Sequence, residues 1–182
     1  MLGLILYFTA ILLELIFAIG FSAFTISFIY SSLKGSPYVP TKNNVIDRIL
    51  KNAKLKPGQL FLELGSGDGR VCRFAASRYK VTSIGVDVNP LLVWYANLLV
   101  KLKRLNNIHF YCKNIFITDT SKADVIFLFL MPKLISQLLP KLENEMKKNA
   151  VVISHGFKVI GWEKRLIGIL DDGPFPTYYY RK

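Results

Sequence analysis

The distribution of apolar residues divides the chain into two unlike parts. From Leu2 to Leu33 nearly every position is apolar, interrupted by Glu14 and a few Ser and Thr. About 20 residues at 1.5 Å each cross a hydrocarbon core, so this stretch predicts one transmembrane helix with some tilt. It lacks a basic leading region, and its apolar run exceeds the roughly 7–15 residues of a secretory signal. An uncleaved anchor is therefore expected. Glu14 falls near mid-membrane, where a carboxyl is costly and marks a functional candidate by default; no role is assigned to it.

Beyond the anchor the pattern becomes short strands and helices. Residues 34–43 include Pro37 and Pro40 and predict an extended connector, because proline disfavours helix at the residue before it. Val45, Ile46, Ile49 and Leu50 carry helical spacing over 45–53, and Lys56-Pro57-Gly58 makes a turn. Strands over 59–64, 82–87, 108–112, 123–130 and 150–155 are then interleaved with helices over 69–79, 90–105 and 132–148, the last interrupted at Pro140. Two more strands, 165–170 and 177–181, flank a turn at Asp171-Asp172-Gly173-Pro174. Strands apolar on both faces, alternating with helices, predict a parallel sheet covered by helices. The closing hairpin makes the last strand antiparallel, and Tyr178-Tyr179-Tyr180 is expected to alternate between core and solvent. The fold class is thus α/β, with an anchor over 1–33, a connector and leading helix over 34–56, and the main domain over 57–182.

Charge sharpens this division. The chain has 24 Lys and Arg against 12 Asp and Glu, and the first 33 residues hold one of the acids and none of the bases. A domain this basic beside a bilayer is drawn to anionic headgroups, at about 1 kcal/mol per well-placed basic residue. Nucleic-acid phosphates attract the same charges, but the anchor makes lipid the simpler partner and disfavours nucleic acid. Lys34, Lys42, Arg48, Lys51, Lys54 and Lys56 follow the helix, so the positive-inside bias places the domain in the cytoplasm of a prokaryotic-type cell. An Arg-rich amphipathic import sequence is absent. Cys72 and Cys112 lack a metal-type spacing and read as buried free thiols, with no metal implied.

Candidate chemistry is concentrated in Phe61-Leu62-Glu63-Leu64-Gly65-Ser66-Gly67-Asp68-Gly69-Arg70. A strand ending in Gly-x-Gly-x-Gly before a helix lets bare backbone approach a ligand, and the helix N-terminus is expected to offer open N–H groups. The dinucleotide fingerprint needs Gly-x-Gly-x-x-Gly/Ala; here Gly69 falls one residue early and Arg70 takes the expected place. Glu63, two residues before Gly65, would repel a pyrophosphate but face the cationic amino-acid end of S-adenosylmethionine. The second strand ends in Asp87-Val88-Asn89-Pro90, where an acid reaches ribose hydroxyls; the plainer alternative is a helix N-terminal acid. Asn114 is placed to meet the adenine ring and Ile115 to pack on its face. The cofactor-binding set is therefore Glu63, Gly65, Ser66, Gly67, Asp68, Gly69, Asp87, Val88, Asn89, Asn114 and Ile115.

These residues resemble class I, seven-stranded, Rossmann-like adenosylmethionine-dependent methyltransferases. More narrowly, they resemble the small membrane-associated protein-lysine methyltransferases that act on the ATP synthase c-subunit and the adenine nucleotide translocase, with their prokaryotic relatives. The resemblance spans about 37–182. It is carried by Pro37-Tyr38-Val39-Pro40-Thr41, Lys56-Pro57-Gly58, the Glu63–Arg70 loop, Asp87-Val88-Asn89-Pro90, Pro132 and the Tyr-rich final strand. It implies a single domain that methylates lysine side chains. Two departures stand out: Asn114 where the family usually has Asp, and Leu130-Met131-Pro132 where it has a glycine and a proline.

No catalytic base is required for such a transfer, and none is assigned. His155 is a candidate by position, while His109 reads as structural. Tyr38, Pro40 and Thr41 are candidates for a lid or a plain linker. Three readings follow: a lysine methyltransferase for a membrane or membrane-proximal protein, a methyltransferase for a small or lipid-like molecule, and a non-catalytic adenosylmethionine-binding module.

Overall fold

The computed structural model describes residues 1–33, 39–171 and 173–182. Part of the connector, with Tyr38 of the candidate lid, and Asp172 of the expected turn lie outside the described residues. The first helix, α1 (Leu2–Leu33), is long and apolar enough to cross a membrane by length and composition, and its described side chains are almost all exposed.

The amphipathic α2 (Asn43–Asn52) buries Ile46, Ile49 and Leu50. The domain then proceeds through β1 (Leu60–Leu64), α3 (Arg70–Tyr79), β2 (Thr82–Asp87), α4 (Pro90–Leu102), β3 (Ile108–Cys112), β4 (Val125–Leu128), α5 (Pro132–Glu145), β5 (Val151–His155), β6 (Leu166–Leu170) and β7 (Thr177–Arg181). The sheet has seven strands in the order β3-β2-β1-β4-β5-β7-β6. Pairings from β3 through β5 are parallel, and β7 runs antiparallel between β5 and β6. This is the expected α/β, Rossmann-like class, with the antiparallel strand at the end of the chain.

One side of the sheet packs Ile46, Ile49, Val71, Ala75, Val93 and Ala96 from α2, α3 and α4. The other packs Ile135, Leu138 and Leu142 from α5 with Trp162, Tyr178 and Tyr180. Helices on both faces explain why the central strands are apolar at consecutive positions rather than alternating. At about 25 cal/mol per Å2 of apolar surface removed from water, each fully buried Leu or Ile contributes on the order of 1.5–3 kcal/mol.

Several expectations are corrected. Tyr178, Tyr179 and Tyr180 are all buried, because β7 is interior to the sheet and has protein on both faces. Tyr179 donates to the Ile49 carbonyl at 3.0 Å, while the Tyr180 hydroxyl accepts from the Val159 N–H at 2.9 Å. Pro140 lies inside an unbroken α5; the carbonyl it leaves without an intrahelical donor belongs to Ser136, an exposed residue that water can reach. Cys72 is buried as expected, but Cys112 is exposed, since β3 is an edge strand. Finally β4 is shorter than its apolar run, because Phe129 and Leu130 leave the ladder and turn into the wall of a cavity.

Candidate active site

Between β1 and β4 the strand order changes direction, since the next strand after β1 lies on one side and the fourth on the other. Such a switch point opens a crevice beyond the carboxyl ends of the strands. The cavity found there is lined by the Gly65–Asp68 loop, Glu63, Asp87, Val88, Asn114 and Ile115. Tertiary structure thus brings nine of the eleven predicted residues to one place. Gly69 and Asn89 stand apart. Gly69 starts α3 at φ 75°, and a Cβ there would come 2.2 Å from the Phe110 ring, so its bareness serves packing of the loop on β3. Asn89 caps α4, accepting from the Leu91 and Leu92 N–H groups at 3.0 and 3.3 Å.

The loop is held by backbone bonds. Gly65 and Ser66 both donate to the Val86 carbonyl, at 2.8 and 2.9 Å, and Gly67 donates to Asp87 Oδ2 at 2.8 Å. Asp87 Oδ1 accepts from the Asn89 N–H at 2.8 Å. Both carboxylate oxygens retain lone pairs for a ligand hydroxyl. Burial raises the Asp87 pKa from its ordinary value, opposed by backbone N–H donors.

The expectation of open N–H groups at the start of α3 is corrected at Arg70 and Cys72. The Cys72 N–H donates to Glu63 Oε2 at 3.2 Å, and the Arg70 N–H to Asp68 Oδ1 at 3.2 Å. Side-chain carboxyls occupy donors that a ligand anion would have used. Asp68 is further engaged by the Arg70 guanidinium at 2.8 Å. Arg70 also reaches the Thr41 carbonyl at 3.3 Å, tying the segment after α1 to the loop. Pro40 and Thr41 of the candidate lid line the cavity, with Val39 beside them.

Glu63 is the most perturbed acid. It is buried, and desolvation raises its pKa to about 8, with Asp68 and Asp87 adding repulsion and the Cys72 hydrogen bonds opposing. The Ser66 hydroxyl is buried without a hydrogen-bond partner among the described residues. One end of the cavity therefore holds three carboxyls and an unpaired hydroxyl. That environment suits a cationic amino-acid group and repels a pyrophosphate. Asn114 spends its side-chain oxygen on the Phe116 N–H at 3.0 Å, which leaves its amide NH2 to donate.

The remaining wall was not anticipated. Leu92, Phe116, Phe127, Phe129, Leu130 and Leu134 make it apolar. For Phe129 and Leu130 the sequence signal was an apolar run continuing past the end of β4. Nor does His155 enter the cavity. It is buried among Phe127, Phe129 and Phe175, with Nδ1 2.8 Å from Thr177 Oγ1, and burial lowers its pKa to about 4.

A switch-point sheet with an acidic, glycine-rich first turn defines an adenosylmethionine-dependent methyltransferase. Residues 63–165 match the family model for the ANTKMT methyltransferase domain. A protein-lysine N-methyltransferase of Saccharolobus islandicus is 34% identical over 139 residues, covering 75% of this chain and 86% of the relative. The human lysine N-methyltransferase of the ATP synthase c-subunit is 31% identical over 127 residues, 69% of this chain; the match spans 54% of the human protein. A solved RNA methyltransferase from Salinibacter ruber, in complex with S-adenosyl-L-homocysteine, is 29% identical with a TM-score of 0.75, covering 79% of this chain and 93% of that one. The chain belongs to the ANTKMT methyltransferase family, an enzyme family whose cofactor is S-adenosylmethionine.

Proposed function

We propose that the chain is a membrane-anchored protein-lysine methyltransferase acting on a membrane or membrane-proximal protein from the cytoplasmic side. The observation that carries this reading is the placement of the cavity: its wall includes Val39, Pro40 and Thr41, only a few residues beyond the apolar α1. The domain division follows, with the anchor over 1–33, the connector and leading helix over 34–56, and the methyltransferase domain over 57–182. The lysine acceptor is supported by the names of the archaeal and animal relatives.

When bound, the cofactor supplies an activated methyl group on a sulfonium. In this assignment Glu63, Ser66 and the Gly65–Gly67 backbone hold its amino-acid end, Asp87 its ribose hydroxyls, and Asn114 with Val88 and Ile115 its adenine. Asp68 acts through Arg70, fixing the loop and the segment at Thr41. Gly69 and Asn89 shape the two turns from behind.

The acceptor amine must be neutral to attack. From a reference pKa of about 10.4, deprotonation costs roughly 4–5 kcal/mol at neutral pH. Among the described residues lining the cavity there is no His, Lys or Tyr. The wall of Phe116, Phe127, Phe129, Leu130 and Leu134 instead desolvates an entering ammonium, which lowers its pKa, and excludes water. Catalysis then rests on holding amine and methyl donor in line.

The test uses the full chain in lipid nanodiscs, incubated with native membranes and radiolabelled cofactor. Label on a lysine of a membrane-fraction protein is expected. Label confined to the lipid extract or to RNA would overturn the assignment of the acceptor.

A further inference from the structure

Helix α4 is apolar on two opposite faces. Val93 and Ala96 pack into the core. On the other side Leu91, Trp94, Tyr95 and Leu102 are 44%, 63%, 44% and 69% exposed. At 100° per residue these four, with the half-buried Leu98, fall within a single arc of about 100°. A helix apolar all round is ordinarily buried, and no described residue covers this arc. Trp and Tyr beside aliphatic side chains is the composition of the interfacial belt of membrane proteins.

Two observations indicate what covers it. The first is continuity with α1. The Ser27 hydroxyl donates to Asn89 Oδ1 at 2.8 Å, and Asn89 Nδ2 donates to the Ser27 carbonyl at 3.1 Å. Asn89 is the N-cap of α4, so the apolar stripe begins where α1 meets the domain. From Leu2 to Ser27 a helix rises about 38 Å, against a hydrocarbon core of about 30 Å. A spanning α1 therefore carries Ser27 just past the hydrocarbon boundary, and Asn89 with it. The second is charge. Residues 88–118 contain no Asp or Glu, while Lys101, Lys103, Arg104 and Lys113 are all exposed.

We propose that the Leu91–Trp94–Tyr95–Leu102 face of α4 lies in the headgroup region of an anionic bilayer, so that the cofactor cavity opens at the membrane surface. This rests on the reading of α1 as a spanning helix. Leu92, on the same helix, lines that cavity. The domain is thereby docked in one orientation, and the acceptors it reaches are lysines close to the membrane surface.

The experiment reconstitutes the full chain into vesicles of neutral and anionic lipid, with nitroxide labels at shallow or deep acyl positions. The chain has two tryptophans, and Trp162 is buried in the core at 1% exposure, so lipid quenching reports Trp94. Loss of Trp94 emission is expected with the shallow label, stronger than with the deep one, and absent in Trp94→Phe. Emission insensitive to both labels in chains that float with the vesicles overturns the docking while leaving the anchor intact. Insensitive emission together with cross-linking between copies through Tyr95→Cys, in a chain whose exposed Cys112 is replaced by Ser, assigns the face to a second copy and equally overturns it. Failure of the chain to float overturns the anchor, and the docking falls with it.

Discussion

Replacing Glu63 by Gln tests the physical core of the site. In the ligand-free fold, burial raises the Glu63 pKa from 4.5 to about 8. Between those values the unfolded chain has released a proton that the folded chain retains, so folding takes up a proton and stability falls as pH rises. Below pH 4.5 both states are protonated and the penalty vanishes; above pH 8 both are ionised and it is at its full size. At pH 7 the gap of about 2.5 pH units corresponds to about 3 kcal/mol, at 1.36 kcal/mol per unit. Gln has the same shape, keeps a carbonyl for the Cys72 N–H and never ionises. Glu63→Gln is therefore expected to stabilise the ligand-free chain by up to about 3 kcal/mol at pH 7 and by nothing at pH 4. Urea denaturation of the full chain in micelles, followed through Trp162, measures both. A buried ammonium favours the ionised carboxylate, so cofactor binding at pH 7 should expel about 0.9 proton from the wild type and none from the variant. Calorimetry in buffers of different ionisation enthalpy counts it. A stability difference that is flat from pH 4 to 8, or equal proton release by both proteins, would refute the account.

Three further outcomes follow from the packing. Gly85→Ala places a Cβ 2.4 Å from Phe110 and 2.8 Å from Ser66 Cβ; overpacking of this kind costs about 1–3 kcal/mol, and denaturation should show that loss together with weakened cofactor binding, partly restored by Phe110→Leu. Asn89→Ala should cost about 1 kcal/mol as a lost helix cap, whereas Ser27→Ala should leave domain stability unchanged but increase proteolysis between α1 and α2. His155, held near pKa 4 by burial, stays neutral in the fold while the unfolded residue charges below about pH 6.5. Its contribution is therefore complete above that pH and is lost as pH falls toward 4, so His155→Phe should flatten the acid limb of the stability curve without introducing or removing an inflection in the activity profile.

Much of this enzyme is legible from residue order alone. The 3.6-residue and continuous apolar patterns mark the helices and strands, because helix faces and doubly covered strands bury different sets of positions. Glu63 before a glycine turn, and Asp87 at the next strand end, announce the cavity proposed to hold the cofactor, because strand termini in a parallel sheet converge on one edge. Order could not say which carboxyls would be spent on backbone donors, as Asp68 and part of Glu63 are, since that depends on where α3 begins relative to the turn. Nor could it reveal the Phe129–Leu130 wall, because an apolar run reads the same whether it stays in a ladder or leaves it. The burial of all three tyrosines in β7 was likewise decided by tertiary structure: whether a strand has one covered face or two is set by what packs on the sheet, here α2 over Tyr179 and the Trp162 and α5 side over Tyr178 and Tyr180, and not by its own sequence.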